Sequence, residues 1–245
     1  MPASRPRAQK SPKSKSKGTA APQSPSQSKR ALKVIECDAD VQAGIEALRR
    51  KCPIVQRMHD LAGYPPLRRR AAGFEGLARI IVGQQVSVAS ATAIWERTFK
   101  TVQPFDAAIL LSTSEVDLRR AGLSRPKVRT LTAIAREIAE AGLDLGALEH
   151  LNDEEVHEAL TRISGVGPWT ADIFLMFCIG RADCFAAGDL ALQVAAQMAM
   201  NLDERPSARE LLEIAERWRP WRGVAARMLW AYYKVAKEAR SGAPV

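Results

Sequence analysis

From Ala31 onward, apolar residues return at intervals of three and four, the spacing that puts them on one face of a helix. Phe74, Leu77, Ala78, Ile81 and Val82 share such a face. After Gly83-Gln84-Gln85-Val86, Ser87 is placed to cap a second helix that carries Val88, Ala91, Ile94 and Trp95 inward. Ser124, with Pro126 in the first turn, opens another helix. Its stripe is Val128, Leu131, Ile134, Ala135 and Ile138, and Gly142 ends it. Asn152 followed three residues later by Glu155 has the form of a capping box, with Val156, Leu160 and Ile163 on the buried side. Ser207 and Glu210 repeat the device ahead of Leu211, Leu212, Ile214, Ala215 and Trp218. No period-two alternation and no long internal repeat interrupts this pattern, so the fold class is all-α.

Residues 1–30 break the pattern. They are built from Ser, Pro, Lys, Gln and Ala with no aromatic or branched aliphatic side chain, and they read as a disordered tail. The tail contains eight basic residues and no acid, which leaves 28 basic against 27 acidic residues in the other 215. The net charge of +9 therefore sits almost wholly on the tail, and charge on the folded body can act only as a patch. The tail reads either as an arm attracted to phosphate or as a solvated extension.

The remaining chemistry narrows by exclusion. No run of about 18 apolar residues suggests a membrane helix, and no apolar segment follows the basic N-terminus, so the expected location is cytoplasmic. Cys37, Cys52, Cys178 and Cys184 fit neither a CxxC zinc pattern nor an iron–sulfur run, so reduced thiols are expected. Three histidines and no HExxH offer little to a catalytic metal, and none is expected.

The informative stretch runs from Leu160 to Phe177. It joins the Asn152–Ile163 helix to a second one on which Trp169, Ile173, Met176 and Phe177 recur at helical spacing. Between them, Gly165-Val166-Gly167 forms a tight turn whose glycines permit positive φ and leave no Cβ in the way of an approaching backbone. Such a turn aims amides at an anion near a helix N-terminus, and contact through glycine amides reads phosphate without reading bases. The same three residues can equally form an ordinary interhelical turn.

This stretch resembles the helix-hairpin-helix and Gly/Pro-Asp loop of the DNA glycosylase superfamily that includes endonuclease III. Gly188-Asp189 matches the loop's essential aspartate, 22 residues after Gly167. The resemblance is closest to the DNA-3-methyladenine glycosylase II branch. It extends to residues 74–87, 121–127, 215–222 and Leu229-Trp230, and so covers roughly residues 70–235. It implies two helical lobes, a middle one from about 75–165 and a second from 31–74 plus 166–245. The hairpin and Asp189 would lie at the cleft between them.

The resemblance further implies a monofunctional glycosylase that flips and hydrolyses alkylated bases from double-stranded DNA. An N-glycosidic bond breaks through an oxocarbenium-like sugar, for which a fixed carboxylate beneath the ring is an economical catalyst. Asp189, ahead of Leu190, Leu192 and Val194, is the candidate, with a plain N-cap as its ordinary alternative. A flipped cationic purine needs an electron-rich aromatic face. Trp169 and Trp230 match positions that line the base pocket, core packing being the other reading of each. Trp218 and Trp221 read as structural. Bifunctional members place a Schiff-base lysine where this chain has Trp169, so no lyase step is expected. Gly165, Val166, Gly167 and Thr170 match the DNA-gripping hairpin, and Gln84, Gln85 and Ser87 match the loop that fills the gap left by the flipped nucleotide. Lys127 resembles a phosphate contact, a solvated helix start being equally open, and Arg68-Arg69-Arg70 reads as surface charge. Hairpins of this kind can hold a structural monovalent cation on their carbonyls. No iron–sulfur cluster and no other cofactor is implied, and a monomer is expected.

Two positions depart from the branch. Gln85 is polar where an apolar wedge is usual. Ile173 stands where an aromatic residue is found, which takes one stacking face from the pocket. The β-rich N-terminal domain of longer members has no counterpart between Ala31 and Arg70. Two alternatives stay open: a glycosylase for uracil, a mismatch or an oxidised purine, and a helical module that binds DNA without chemistry.

Overall fold

The computed structural model describes residues 33–241, so the basic stretch at 1–30 lies outside the described residues. Twelve α-helices follow one another. They are α1 (Asp38–Arg49), α2 (Pro53–Ala62), α3 (Phe74–Gly83), α4 (Val88–Thr101), α5 (Ala107–Ser112), α6 (Glu115–Arg120), α7 (Arg125–Ala139), α8 (Asp153–Thr161), α9 (Pro168–Phe174), α10 (Leu190–Met200), α11 (Ala208–Ala215) and α12 (Arg222–Ser241). Among the described residues there is no strand, only an isolated antiparallel bridge between Val34 and Arg181. The all-α expectation holds.

The helix starts are where the sequence places them. Ser87 accepts from the Ser90 amide, and Asn152 with Glu155 and Ser207 with Glu210 both close their capping boxes. Each satisfies amides that would otherwise face the helix end unpaired. The stripes also hold, with Leu77, Ala78, Ile81, Val82, Leu131, Ile134 and Ala135 all buried. Val88, 84% exposed, and Leu212, 43% exposed, are exceptions, and Val88 is the stronger one. It occupies the first position of α4, about two turns before the helix reaches cover at Trp95, so the period is right but the core does not extend that far.

Helices α3 to α7 pack on one another around the rings of Phe74, Trp95, Phe99 and Phe105, while α1, α2, α10 and α12 pack together with α11 against α10. Helix α9 touches both α3 and α8, and so ties the hairpin to the first group. Trp218 is fully buried and Trp221 nearly so, as expected of structural residues.

The second hairpin helix departs from the expected form. After Phe174 the α-pattern widens to a π-turn over Leu175–Ile179, closed by Gly180 at φ 90°. Widening turns a helix's carbonyls away from their own ladder, so they need outside donors. Here Arg227 donates to the Met176 carbonyl at 2.6 Å, the Arg70 amide to that of Phe177 at 2.8 Å and Arg69 to that of Cys178 at 2.5 Å. The Arg68-Arg69-Arg70 run is therefore only partly surface charge. Arg69 and Arg70 are half-buried, and burial lowers the pKa of Arg70.

Candidate active site

Three helices converge on Asp189. It is the N-cap of α10, where its Oδ1 accepts from the Leu192 amide at 3.1 Å. The same oxygen accepts from the indole N–H of Trp230 on α12 at 3.1 Å, and Oδ2 accepts from the indole N–H of Trp169 on α9 at 2.9 Å. An ionised carboxylate has about four acceptor directions, so three donors orient it and still leave one lone pair free on the Oδ2 side. A plain N-cap would need only the Leu192 amide. The two tryptophans hold Asp189 by their N–H edges while both remain half-buried, and neither is core in the manner of Trp218.

Ile173 lies on the same helix face as Trp169 but is 6% exposed. The aromatic side chain near Trp230 comes instead from Phe177, one turn further on, whose ring centroid is 5.6 Å from that of Trp230 at 35°. The sequence carried a signal for this, since Phe177 continues the stripe of Trp169 and Ile173. Arg227 lies over Phe177 at 4.7 Å. Its guanidinium also donates to the carbonyls of Gly223 and Leu67, so it is met by carbonyls, and burial lowers its pKa to about 10. At neutral pH it remains a buried cation. It was not anticipated, because a charged residue inside an apolar stripe reads as an interruption.

The hairpin turn differs from its expected form in one detail. Gly165 takes φ +87°, and a Cβ there would lie 2.0 Å from Thr130 Oγ1 on α7. Glycine is required at this position on both counts. Gly167 has φ −99° and open space around it, so positive φ is no part of its role; it is the N-cap of α9, and its carbonyl accepts from the Thr170 and Ala171 amides. Val166 is buried. Thr170 is 1% exposed and takes a hydrogen bond from Gln84 Nε2 at 2.9 Å, so its hydroxyl braces the loop after α3 and has no access to a phosphate.

That loop is held at both sides. Gln84 is anchored to α9 through Thr170, and the Lys127 ammonium donates to the Val82 carbonyl at 2.7 Å. Lys127 is thus not a solvated helix start: one of the three donors of its ammonium is committed to the protein's own backbone. It sits on the C-terminal end of α3, where the helix dipole favours a cation, and burial lowers its pKa. Between the anchors Gln85 is exposed, with φ +55° in the left-handed region that costs a non-glycine residue about 1–2 kcal/mol. Ser87 spends its hydroxyl on the start of α4.

A second polar cluster lies away from Asp189. His157 Nε2 and Asp172 Oδ1 are 2.7 Å apart, and this hydrogen bond raises the His157 pKa. Burial raises the thiol of Cys178 to about 12 and holds that of Cys184 well above its ordinary value, so both are inert. All four cysteines are free, and among the described residues no group of three or more His, Cys, Asp or Glu is placed to hold a metal. No described helix is long and apolar enough to cross a membrane.

The chain is similar to several known proteins. A DNA-3-methyladenine glycosylase of Schizosaccharomyces pombe is 32% identical over 190 residues, which cover 74% of this chain and 82% of that protein. The structure of the S. pombe 3-methyladenine DNA glycosylase with abasic DNA superposes with a TM-score of 0.68 at 26% identity. It covers 77% of this chain and 95% of that one. A Bacillus halodurans DNA-3-methyladenine glycosidase gives 0.68 at 29% identity, over 84% and 95% of the two chains. The chain spans only 40% and 41% of the length of curated relatives from Bacillus subtilis and Mycobacterium tuberculosis. The family model described as the HhH-GPD superfamily base excision DNA repair protein matches residues 78–220, which include the hairpin, Asp189 and Trp169, and the chain therefore belongs to that superfamily.

Proposed function

We propose that this chain is a monofunctional DNA glycosylase that removes alkylated bases of the 3-methyladenine type from duplex DNA and leaves an abasic site. The observation that carries the proposal is the carboxylate of Asp189, fixed by two indole N–H donors and a helix amide with one acceptor direction left open. A group so oriented needs no reorganisation when positive charge develops on a sugar beside it.

The flipped nucleotide would lie with its base against the faces of Trp169 and Trp230 and its C1′ above Asp189. Cation–π attraction favours an alkylated purine, which carries positive charge and is already a good leaving group. As the C1′–N bond breaks, its electron pair leaves with the base, Asp189 stabilises the sugar cation, and water adds at C1′ with loss of a proton. Trp169 occupies the position where bifunctional relatives have lysine, so no amine is available there for a Schiff base. The two helix groups would be the lobes, α3–α7 in one and α1, α2, α10 and α12 in the other, with Asp189 at the cleft. The hairpin at Gly165–Gly167 would hold backbone phosphate, and Gln85, exposed on its braced loop, would fill the vacated stack. The hairpin carbonyls are where a monovalent cation would sit, and no step depends on one. The enzyme would act as a monomer in the cytoplasm, on the nucleoid in a prokaryote.

The test is incubation with methylated duplex DNA. Free 3-methyladenine and alkali-labile abasic sites are expected, with no strand nicking before alkali and no complex trapped by borohydride. Trapping would overturn the monofunctional reading. DNA binding with no base released, from methylated or other damaged duplexes, would favour the binding module.

A further inference from the structure

Helix α7 stands beside both DNA-contacting loops of the proposed function, since Lys127 holds the end of α3 that precedes Gln85 and Thr130 packs into the Gly165 turn. The surface just before it gathers three arginines beside one acidic residue, Glu115. Arg119 and Arg120 end α6, Arg125 begins α7, and together with Glu115 and Val116 they line an open groove of about 550 Å³. Arg120 is paired with Asp117 at 3.2 Å, but among the described residues Arg119 and Arg125 are in no ion pair. The body of the chain carries a net charge of only about +1, so two free guanidinium groups in one groove are a local concentration and not a share of a general excess.

We infer that the α6–α7 groove is a second DNA-backbone site, in which Arg119 and Arg125 engage phosphate of the duplex beyond the nucleotides held by the hairpin and the Gln85 loop. The guanidinium fork matches phosphate oxygens bidentately, and exposed unpaired arginines can do so without first breaking an internal bond. The groove lies outside the base pocket, so it contributes affinity and register without reading the lesion. This rests on the proposed glycosylase reading only in that the ligand is duplex DNA.

The test is anisotropy binding to a 30-base-pair abasic duplex over a range of salt. It compares wild type, Arg119→Gln/Arg125→Gln, and Arg209→Gln/Arg217→Gln, which removes the same charge from α11 and the turn that follows it. Each neutralised phosphate adds about 0.9 to the slope of log K against log salt, so the groove variant should lose between about 1 and 2 from that slope. The α11 variant should keep it, and thermal melting should be unchanged in both. Equal slopes for wild type and groove variant, or an equal loss in the α11 variant, would overturn the groove site while leaving the glycosylase reading intact. A wild-type protein that does not bind the duplex at all would overturn both.

Discussion

The donors on Asp189 are unequal, and that inequality can be measured. Oδ1 accepts from both Trp230 and the Leu192 amide, whereas among these bonds Oδ2 accepts only from Trp169. Phenylalanine in place of either tryptophan keeps an aromatic ring in the pocket but removes the N–H. A hydrogen bond to a charged group contributes about 1.5–3 kcal/mol. In Trp230→Phe the amide still orients Oδ1, which places the loss near the lower end, about tenfold in rate. In Trp169→Phe the oxygen left facing the sugar has lost its orienting donor, which places the loss near the upper end, roughly a hundredfold. The assay is single-turnover base release at saturating enzyme, which separates chemistry from binding, with affinity for abasic duplex measured alongside. A loss of less than twofold in Trp169→Phe, or a larger loss in Trp230→Phe than in Trp169→Phe, would refute the argument from geometry.

Three further outcomes follow from packing and charge. Gly165→Ala forces a Cβ against Thr130 at φ +87° and should cost at least about 2 kcal/mol in chemical denaturation, with weakened DNA binding. Arg227→Met takes the guanidinium donor from the Met176 carbonyl in the π-turn and should cost about 3 kcal/mol. It should also alter tryptophan emission, because Phe177 packs on Trp230. The His157 pKa is raised by Asp172, so its contribution to stability is complete below the unfolded value of about 6.5 and is lost as pH rises through the folded value. Since the pair is partly exposed, the effect should stay under about 1 kcal/mol and vanish in His157→Gln when stability is measured between pH 6 and 9.

What was legible in the sequence is what neighbours along the chain determine. The capping boxes at Asn152 and Ser207, the Ser87 cap and the stripe of α7 depend on residues within a few positions of each other, and all are present. Asp189 was legible as a cap for the same reason. Its other partners were not: Trp169 and Trp230 are 20 and 41 residues away, and nothing in periodicity says that two indoles turn their N–H groups to one carboxylate. The Lys127 bond to Val82 spans 45 residues and was equally hidden. The π-turn escaped because five residues with one extra amide per turn keep nearly the same apolar spacing as an α-helix. Val88 was misplaced because periodicity gives a face but not where the opposing surface stops.

In the proposed function Asp189 is the catalytic carboxylate of a base-releasing enzyme. The direct measurement is release of free base from methylated duplex by wild type and Asp189→Asn at matched protein and salt concentrations. Asparagine is close to isosteric, but its single carbonyl oxygen can accept on only one of the two sides now served by Oδ1 and Oδ2, so the variant loses the charge and one indole bond together. Wild type should release 3-methyladenine, and the variant should be slower by at least about a hundredfold, corresponding to about 2.7 kcal/mol, with binding to abasic duplex retained. Equal rates from the two proteins would contradict that role of Asp189.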